Sequence, residues 1–225
     1  MPPDLWEVLD ACPDTKKWKT RGRPPEPDLA GLRDRALLLV GFVAALRRSE
    51  ISALEIADIA EHPSGLVLTL PRSKTNQRGE HAELVVLPRG TKPGRCPVTV
   101  LQEWIQAAAA TAGPTFRPVS KGNRALPRRL SAGAINALVQ QAVARASLGG
   151  DYSAHSLRAG FVTYAHLRGA SDRRPKTGSG RSTRIGVGHA RGEGWFPRRV
   201  PGRQRAKNPA GSHRGTRAGR AGRRT

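Results

Sequence analysis

The sequence changes character near Asp172. From Arg173 to Thr225 the chain holds 16 Lys or Arg and 11 glycines, against a single acidic residue, Glu193. Aliphatic side chains are almost absent there, so too little apolar surface exists to offset the entropy of ordering the chain. We therefore predict a disordered Arg/Gly/Pro-rich tail over 173–225, and we expect folded structure only before it.

Three interpretations of this tail remain open on the sequence alone. It can be an arginine-rich segment that binds nucleic acid, because clustered positive charge attracts a polyanion. It can equally be a solvated tail with no selected role. The third interpretation is translation out of frame, since a GC-rich gene read off register yields dense Arg, Gly, Pro and Ser.

The charge of the whole chain indicates a polyanionic partner. The formal net charge is +22, of which the tail carries +15, while the preceding 172 residues hold 23 bases and 16 acids, a net of +7. Cys12 and Cys96 are the only cysteines and stand far apart, so no zinc motif is present. The N-terminus lacks the features of a signal peptide, and the longest apolar run, Ala36 to Leu46, is shorter than the roughly 20 residues that span a bilayer. These observations predict a cytoplasmic protein without a membrane partner.

Residues 1–28 are rich in proline and mixed in charge, so we predict a linker or the remnant of an N-terminal domain. Residues 29–172 predict one domain of α+β class, mainly α. Its predicted elements are an all-round apolar core helix, a helix capped by Ser49, a strand pair joined by a basic loop, and three later helices, the last two capped by Ser131 and Ser153. In that order they cover 36–46, about 49–59, 65–70 with 82–87, 97–111, 134–146 and 155–167.

His155 and Arg158 stand three residues apart at the start of the last predicted helix. Residues at this spacing share a helix face, so an imidazole and a guanidinium point the same way. Arginine offers a bidentate fork for phosphate oxygens, and histidine titrates near neutral pH. An isolated His-x-x-Arg is more often a surface pair than a site, so its context decides its meaning.

That context resembles the catalytic domain of the tyrosine recombinases, the phage-integrase family. The resemblance covers residues 29 to about 172. It is carried by Ala45-Leu46-Arg47-Arg48-Ser49-Glu50-Ile51 between two helices, by Lys74 in the basic hairpin loop, and by His155-Ser156-Leu157-Arg158-Ala159-Gly160. Arg-x-Ser-Glu is weak alone; the order of the three motifs gives the likeness its specificity.

The resemblance implies a mechanism on double-stranded DNA with no metal, cofactor or small-molecule substrate, and it allows a homo-oligomer on the DNA. A tyrosine attacks a phosphodiester, forms a 3′-phosphotyrosyl link and releases a 5′-hydroxyl. Arg47 and Arg158 would brace the phosphate, Lys74 would protonate the leaving oxygen, and His155 would exchange a proton with the nucleophile. Arg48 is expected to be a solvent-facing neighbour without a catalytic role.

The nucleophile departs from the family pattern. The chain has only Tyr152 and Tyr164: one precedes the His-x-x-Arg motif, and the other lies on the same helix, six residues beyond Arg158. The family places its tyrosine on a later helix, so this chain is expected not to cleave DNA. A recombinase or integrase, complete or reduced to a remnant, and a non-catalytic DNA-binding protein are therefore the two functions to compare. A type IB topoisomerase would use similar chemistry but would also need the tyrosine.

Overall fold

The computed structural model describes residues 2–18, 22, 24–70 and 83–169, together with the backbone of Thr183–Ile185. All of these lie in the unit Met1–His189. The described α-helices are α1 (Pro3–Asp10), α2 (Leu29–Val43), α3 (Arg48–Ala53), α4 (Pro97–Ala107), α5 (Ala132–Arg145) and α6 (Ala154–Leu167). The described strands are β1 (Thr15–Lys16), β2 (Glu26–Pro27), β3 (Ile59–His62), β4 (Gly65–Leu70), β5 (Glu83–Pro88) and β6 (Thr183–Ile185). The α+β, mainly helical class is confirmed.

Helix α2 is the centre of the fold. It contacts α3, α4, α5 and α6, and residues such as Leu37, Leu39 and Val40 have no exposed surface. Asp28 caps its first turn by accepting hydrogen bonds from the backbone N–H groups of Ala30 and Gly31. The predicted core helix over 36–46 is thus present, but it begins seven residues earlier and ends at Val43.

A buried ion cluster explains why this early start was missed. Arg33 and Asp34 form an ion pair of 2.6 Å inside the core, and Arg145 from α5 reaches the other oxygen of Asp34 at 2.8 Å. Charged residues are rarely buried unless they are paired, so a single sequence gives no sign that these two face inward. The cluster fastens α5 to the first turns of α2.

Strands β4 and β5 confirm the predicted antiparallel pair, with Leu70 opposite Glu83. β3 adds to the other side of β4, and β6 pairs parallel to β5, giving the order β3-β4-β5-β6. β6 lies within the segment predicted to be a disordered tail, so the structure differs from that prediction at these three residues. The remainder of 173–225 lies outside the described residues.

The described part of residues 1–28, a segment predicted to be a linker or the remnant of an N-terminal domain, is folded and packs on the main core. Leu5, Val8 and Leu9 of α1 are buried in the main core, and β1 pairs with β2. Trp6 also stacks under the guanidinium of Arg95 at 4.3 Å. The apolar residues of α1 are spaced so that they share one helix face, which packs on the core. The prolines and mixed charge of this segment make that face hard to recognise in the sequence.

Cys12 is expected to make stability sensitive to alkaline pH. Burial, reinforced by the Asp34 carboxylate, raises the pKa of this thiol from 9.0 to about 11. Between those values the unfolded thiol loses its proton while the folded one keeps it, so stability falls as pH rises, by up to about 2–3 kcal/mol. Urea unfolding at pH 8.5 and 10.5 measures this loss. Cys12→Ala should remove that part of the pH dependence; an unchanged dependence would contradict the assignment.

Candidate phosphate-binding site

The start of α6 is fixed by a reciprocal cap. The Ser153 hydroxyl accepts the backbone N–H of His155 at 3.2 Å, and the Ser153 N–H donates to the Ser156 hydroxyl at 3.0 Å. The next backbone N–H, that of Ala154, donates to Asn136 of α5 at 3.0 Å. Ser153 therefore caps α6, as predicted. The His155 side chain is exposed in the first turn of this helix.

Arg158 connects α6 to the turn that follows α2. Its Nη1 donates to the backbone carbonyl of Ala45 at 2.6 Å. Ala45 has a φ of 49°, a left-handed conformation that is uncommon for a residue with a side chain. Because Ala45 stands two residues before Arg47, this hydrogen bond brings the His-x-x-Arg helix to the Arg47 turn, as the proposed site requires.

Arg47 sits immediately before α3 and is held by Glu50. Its Nη1 forms an ion pair with Glu50 Oε1 at 2.6 Å, and its backbone N–H donates to Glu50 Oε2 at 2.8 Å. The Glu50 side chain is 2% exposed and that of Arg47 is 26% exposed. The Arg47 side chain is thus partly exposed to solvent, while the buried Glu50 carboxylate holds its backbone N–H and one of its guanidinium nitrogens. Arg48 is exposed, in agreement with its predicted solvent-facing position.

Two details of the predicted site change. Arg47 rather than Ser49 occupies the N-cap position of α3; its side chain makes no capping hydrogen bond, and Glu50 accepts its backbone N–H. The helix also ends at Ala53, so Ile56 and Ile59 do not continue its apolar side; Ile56 begins a 3₁₀ turn and Ile59 begins β3. Glu50 is the site residue that the sequence analysis did not assign, although its spacing of three from Arg47 is one that pairs side chains on a helix.

Lys74 lies in the segment 71–82, outside the described residues, so its place in the site stays a prediction. The strands that lead into and out of this segment are described, and their facing ends are Leu70 and Glu83.

Both tyrosines have other contacts. The ring of Tyr164 is half-buried, 6.4 Å from that of Phe42, and the guanidinium of Arg168 lies 5.3 Å over it. The Tyr152 hydroxyl donates to Asp4 at 3.3 Å. The negative charge of Asp4 raises the pKa of Tyr152, with smaller contributions from burial and from that hydrogen bond. Tyr164 therefore serves the packing of α6 on α2, and Tyr152 is held in its neutral form.

The predicted site residues that the structure describes lie on two neighbouring elements. Arg47 and Arg158 are brought to one turn by the Ala45 carbonyl, and His155 lies three residues before Arg158 on the same helix. Guanidinium groups present a planar fork of N–H donors that matches the oxygens of a phosphate. Among the residues that the structure describes, no group of three His, Cys, Asp or Glu could hold a metal ion, and no helix there is long and apolar enough to cross a membrane.

The fold is similar to that of solved recombinase structures. Solved structures similar to this fold include the XerA recombinase, with a TM-score of 0.52 and 16% identity over 76% of this chain and 50% of that one. The XerH site-specific recombinase bound to its difH substrate is similar as well, with a TM-score of 0.50 and 17% identity over 73% of this chain and 41% of that one. At such identity the likeness concerns the fold. The chain has the fold of a tyrosine-recombinase catalytic domain.

Sequence comparison agrees. The chain is 35% identical over 141 residues to an integrase/recombinase xerD homolog of Selenomonas ruminantium, covering 62% of this chain and 41% of the relative. It is 30% identical over 163 residues to the tyrosine recombinase XerC of Xanthomonas axonopodis pv. citri (strain 306), covering 72% of this chain and 46% of the relative. The match thus spans less than half the length of each relative. No family model matches the chain. The chain is a relative of the tyrosine recombinases.

Proposed function

We propose that this chain binds duplex DNA and holds one phosphodiester in a cradle of the kind that tyrosine recombinases use for site-specific strand transfer. The observation that carries the proposal is the hydrogen bond from Arg158 to the Ala45 carbonyl, which joins two motifs 113 residues apart. Without it, Arg47 and Arg158 would be unrelated surface cations. The relatives named above supply the class of reaction.

The proposed roles follow from the chemistry of each side chain. Arg47 and Arg158 donate to the non-bridging oxygens as charge develops in the transition state, where one well-placed donor is worth about 10²–10³ in rate. In the reaction that the resemblance implies, a tyrosine oxygen attacks phosphorus, the bond to the 5′-oxygen breaks, and a 3′-phosphotyrosyl link forms. His155 exchanges the proton of the nucleophile, and Lys74 donates a proton to the departing 5′-oxygen.

We further propose that the chain with this sequence does not complete that reaction. Tyr164 packs against Phe42, and Tyr152 is hydrogen-bonded to Asp4. A nucleophile must reach a near-attack position about 3–3.5 Å from phosphorus. These contacts assign both tyrosines to packing, and we expect neither to act as the nucleophile. Binding without cleavage is therefore the second, non-catalytic function, and the net charge of +22 favours it.

A trapping experiment separates binding from cleavage. The full chain is mixed with a pool of labelled duplexes, each carrying a nick that lets the cut fragment diffuse away and traps any covalent product. We expect a shifted complex on a native gel that dissociates completely on a denaturing gel. A band that survives denaturation and disappears in Tyr164→Phe or Tyr152→Phe would show that the chain cleaves. Absence of the native complex would overturn DNA binding itself.

A further inference from the structure

The stretch from Trp104 to Gly150 contains six Lys or Arg and no Asp or Glu. Five of the six bases lie in the segment 113–130 between α4 and α5, which we call the basic loop and which is distinct from the hairpin loop that carries Lys74. Such a density of one charge sign creates a positive local potential that attracts anions. The structure divides the five bases into two groups by their contacts.

Two of the five hold the loop in shape. The Nε of Arg117 donates to the Pro114 carbonyl at 2.8 Å. Arg129 donates to the Ser52 carbonyl at 2.6 Å and forms an ion pair with Glu55. Their guanidinium groups are therefore occupied by the protein.

The other three are Lys121, Arg124 and Arg128. All are exposed, and none forms a side-chain hydrogen bond or ion pair with any residue that the structure describes. Solvated cations on a mobile loop would mean little, since a charged surface is the common state of such residues. What distinguishes them is an anchored backbone: Arg124 and Arg128 lie between two anchors, and Lys121 lies in the turn that ends at the first, closed by the hydrogen bond from the Ser120 N–H to the Arg124 carbonyl.

The anchor on one side is Asn123, which is 8% exposed. Its side-chain oxygen accepts the Leu29 N–H at 3.0 Å and its nitrogen donates to the Pro27 carbonyl at 2.8 Å, at the start of α2. The anchor on the other side is the Leu130 carbonyl, which accepts the Ser52 hydroxyl at 2.7 Å. The loop is therefore fastened across the beginning of α2 and the end of α3.

This anchoring relates the free cations to the phosphate cradle. Ser52 lies five residues after Arg47 along α3, a rise of about 7.5 Å at 1.5 Å per residue. The five residues from Arg129 back to Arg124 can reach at most about 17 Å further. A DNA strand advances about 3.4 Å per nucleotide along the helix axis, so this reach covers several phosphates beside the one in the cradle.

We propose that Lys121, Arg124 and Arg128 form a second DNA-contact surface that binds backbone phosphates flanking the phosphodiester held by Arg47 and Arg158. The inference rests on the proposed function, because duplex DNA is its ligand. Phosphate contacts of this kind position a duplex and carry no sequence information directly. The basic loop should thus set how the DNA lies on the domain and leave base preference unchanged.

The test is the salt dependence of DNA binding by the full chain. Each neutralised phosphate contributes about −0.9 to the slope of log K against log salt. The triple variant Lys121→Gln, Arg124→Gln, Arg128→Gln should lose about 2.7 of that slope. Between 50 and 200 mM salt, affinity of the parent should then fall about 40-fold more than that of the variant. Fluorescence anisotropy with labelled duplexes of two unrelated sequences measures both.

A control variant of equal charge is Lys17→Gln, Arg89→Gln, Lys92→Gln, which removes three exposed bases outside the basic loop. It should change the slope by less than 1. Equal losses in both variants would overturn the proposal in favour of diffuse charge attraction, and an unchanged slope in the loop variant would overturn it outright. If the parent itself fails to bind duplex DNA, the proposed function falls and the inference falls with it, a result distinct from both.

The structural bases of the loop give a further internal comparison. Arg129→Gln should lower the thermal midpoint, because it removes donors to Ser52 and Glu55, whereas the triple loop variant should keep the midpoint of the parent. A triple variant that unfolds earlier than Arg129→Gln would assign the three cations to folding and overturn a ligand-binding role.

Discussion

Phe42→Ala is expected to lower the free energy of unfolding by about 3–5 kcal/mol. The Phe42 ring is 2% exposed and meets Phe161 edge to face at a centroid distance of 5.8 Å. It also lines a cavity of about 160 Å³ together with Leu38 and Leu157, so truncation would enlarge a space that already exists. Loss of these ring contacts loosens the α2–α6 interface.

Because α6 carries His155 and Arg158, the same variant should weaken the site. Chemical denaturation measures the loss of stability. The control is Val162→Ala on α6, whose side chain is 49% exposed, and its expected change in the free energy of unfolding is within about 0.5 kcal/mol. Equal stability of Phe42→Ala and the parent would show that α2 and α6 do not depend on this contact.

Elements with local signals were predicted well from the sequence. β4 spans residues 65–70 as expected, and α6 ends at Leu167 as expected. Ser131 and Ser153 both accept the backbone hydrogen bonds that their positions suggested. These features depend on residue alternation and capping, which act over a few neighbouring residues and are therefore visible in one sequence.

Elements fixed by tertiary contacts were not predicted. The start of α2 depends on Arg33 and Asp34 being buried against Arg145, more than a hundred residues away. α1 lies in a segment predicted to be a linker or the remnant of an N-terminal domain, because its packing on the core is visible only in the folded chain. The parallel pairing of β6 with β5 has no local signal at all.

The site divides in the same way. Motif spacing predicts Arg47, His155 and Arg158 as site residues, because the order of the motifs along the chain can be read from the sequence alone. It could not reveal the acceptor of the Arg158 guanidinium, because the Ala45 carbonyl is a backbone group presented by a left-handed turn. Such a turn at alanine is disfavoured by local sterics and persists because the surrounding structure holds it.

Arg47→Ala is expected to cost about 1.5–3 kcal/mol of folding stability in addition to its effect on DNA binding. Glu50 is 2% exposed and loses its 2.6 Å ion pair with Arg47 in this variant, so a buried carboxylate gives up a charged partner. The exposed neighbour Arg48→Ala removes the same charge and should change stability by no more than about 0.5 kcal/mol.

The double variant Arg47→Ala, Glu50→Gln decides whether the carboxylate charge is the cause. Replacing Glu50 by Gln removes the buried charge and retains an oxygen for the backbone N–H at residue 47. The double variant should therefore be more stable than Arg47→Ala alone, with a coupling energy of about 0.5–3 kcal/mol. The four proteins to compare by urea unfolding are the parent, Arg47→Ala, Glu50→Gln and the double variant. Additive losses of stability among them would mean that Glu50 does not hold Arg47 through its charge. With coupling present and DNA affinity still low in the stabilised double variant, the affinity loss belongs to the missing Arg47 guanidinium rather than to a loosened fold.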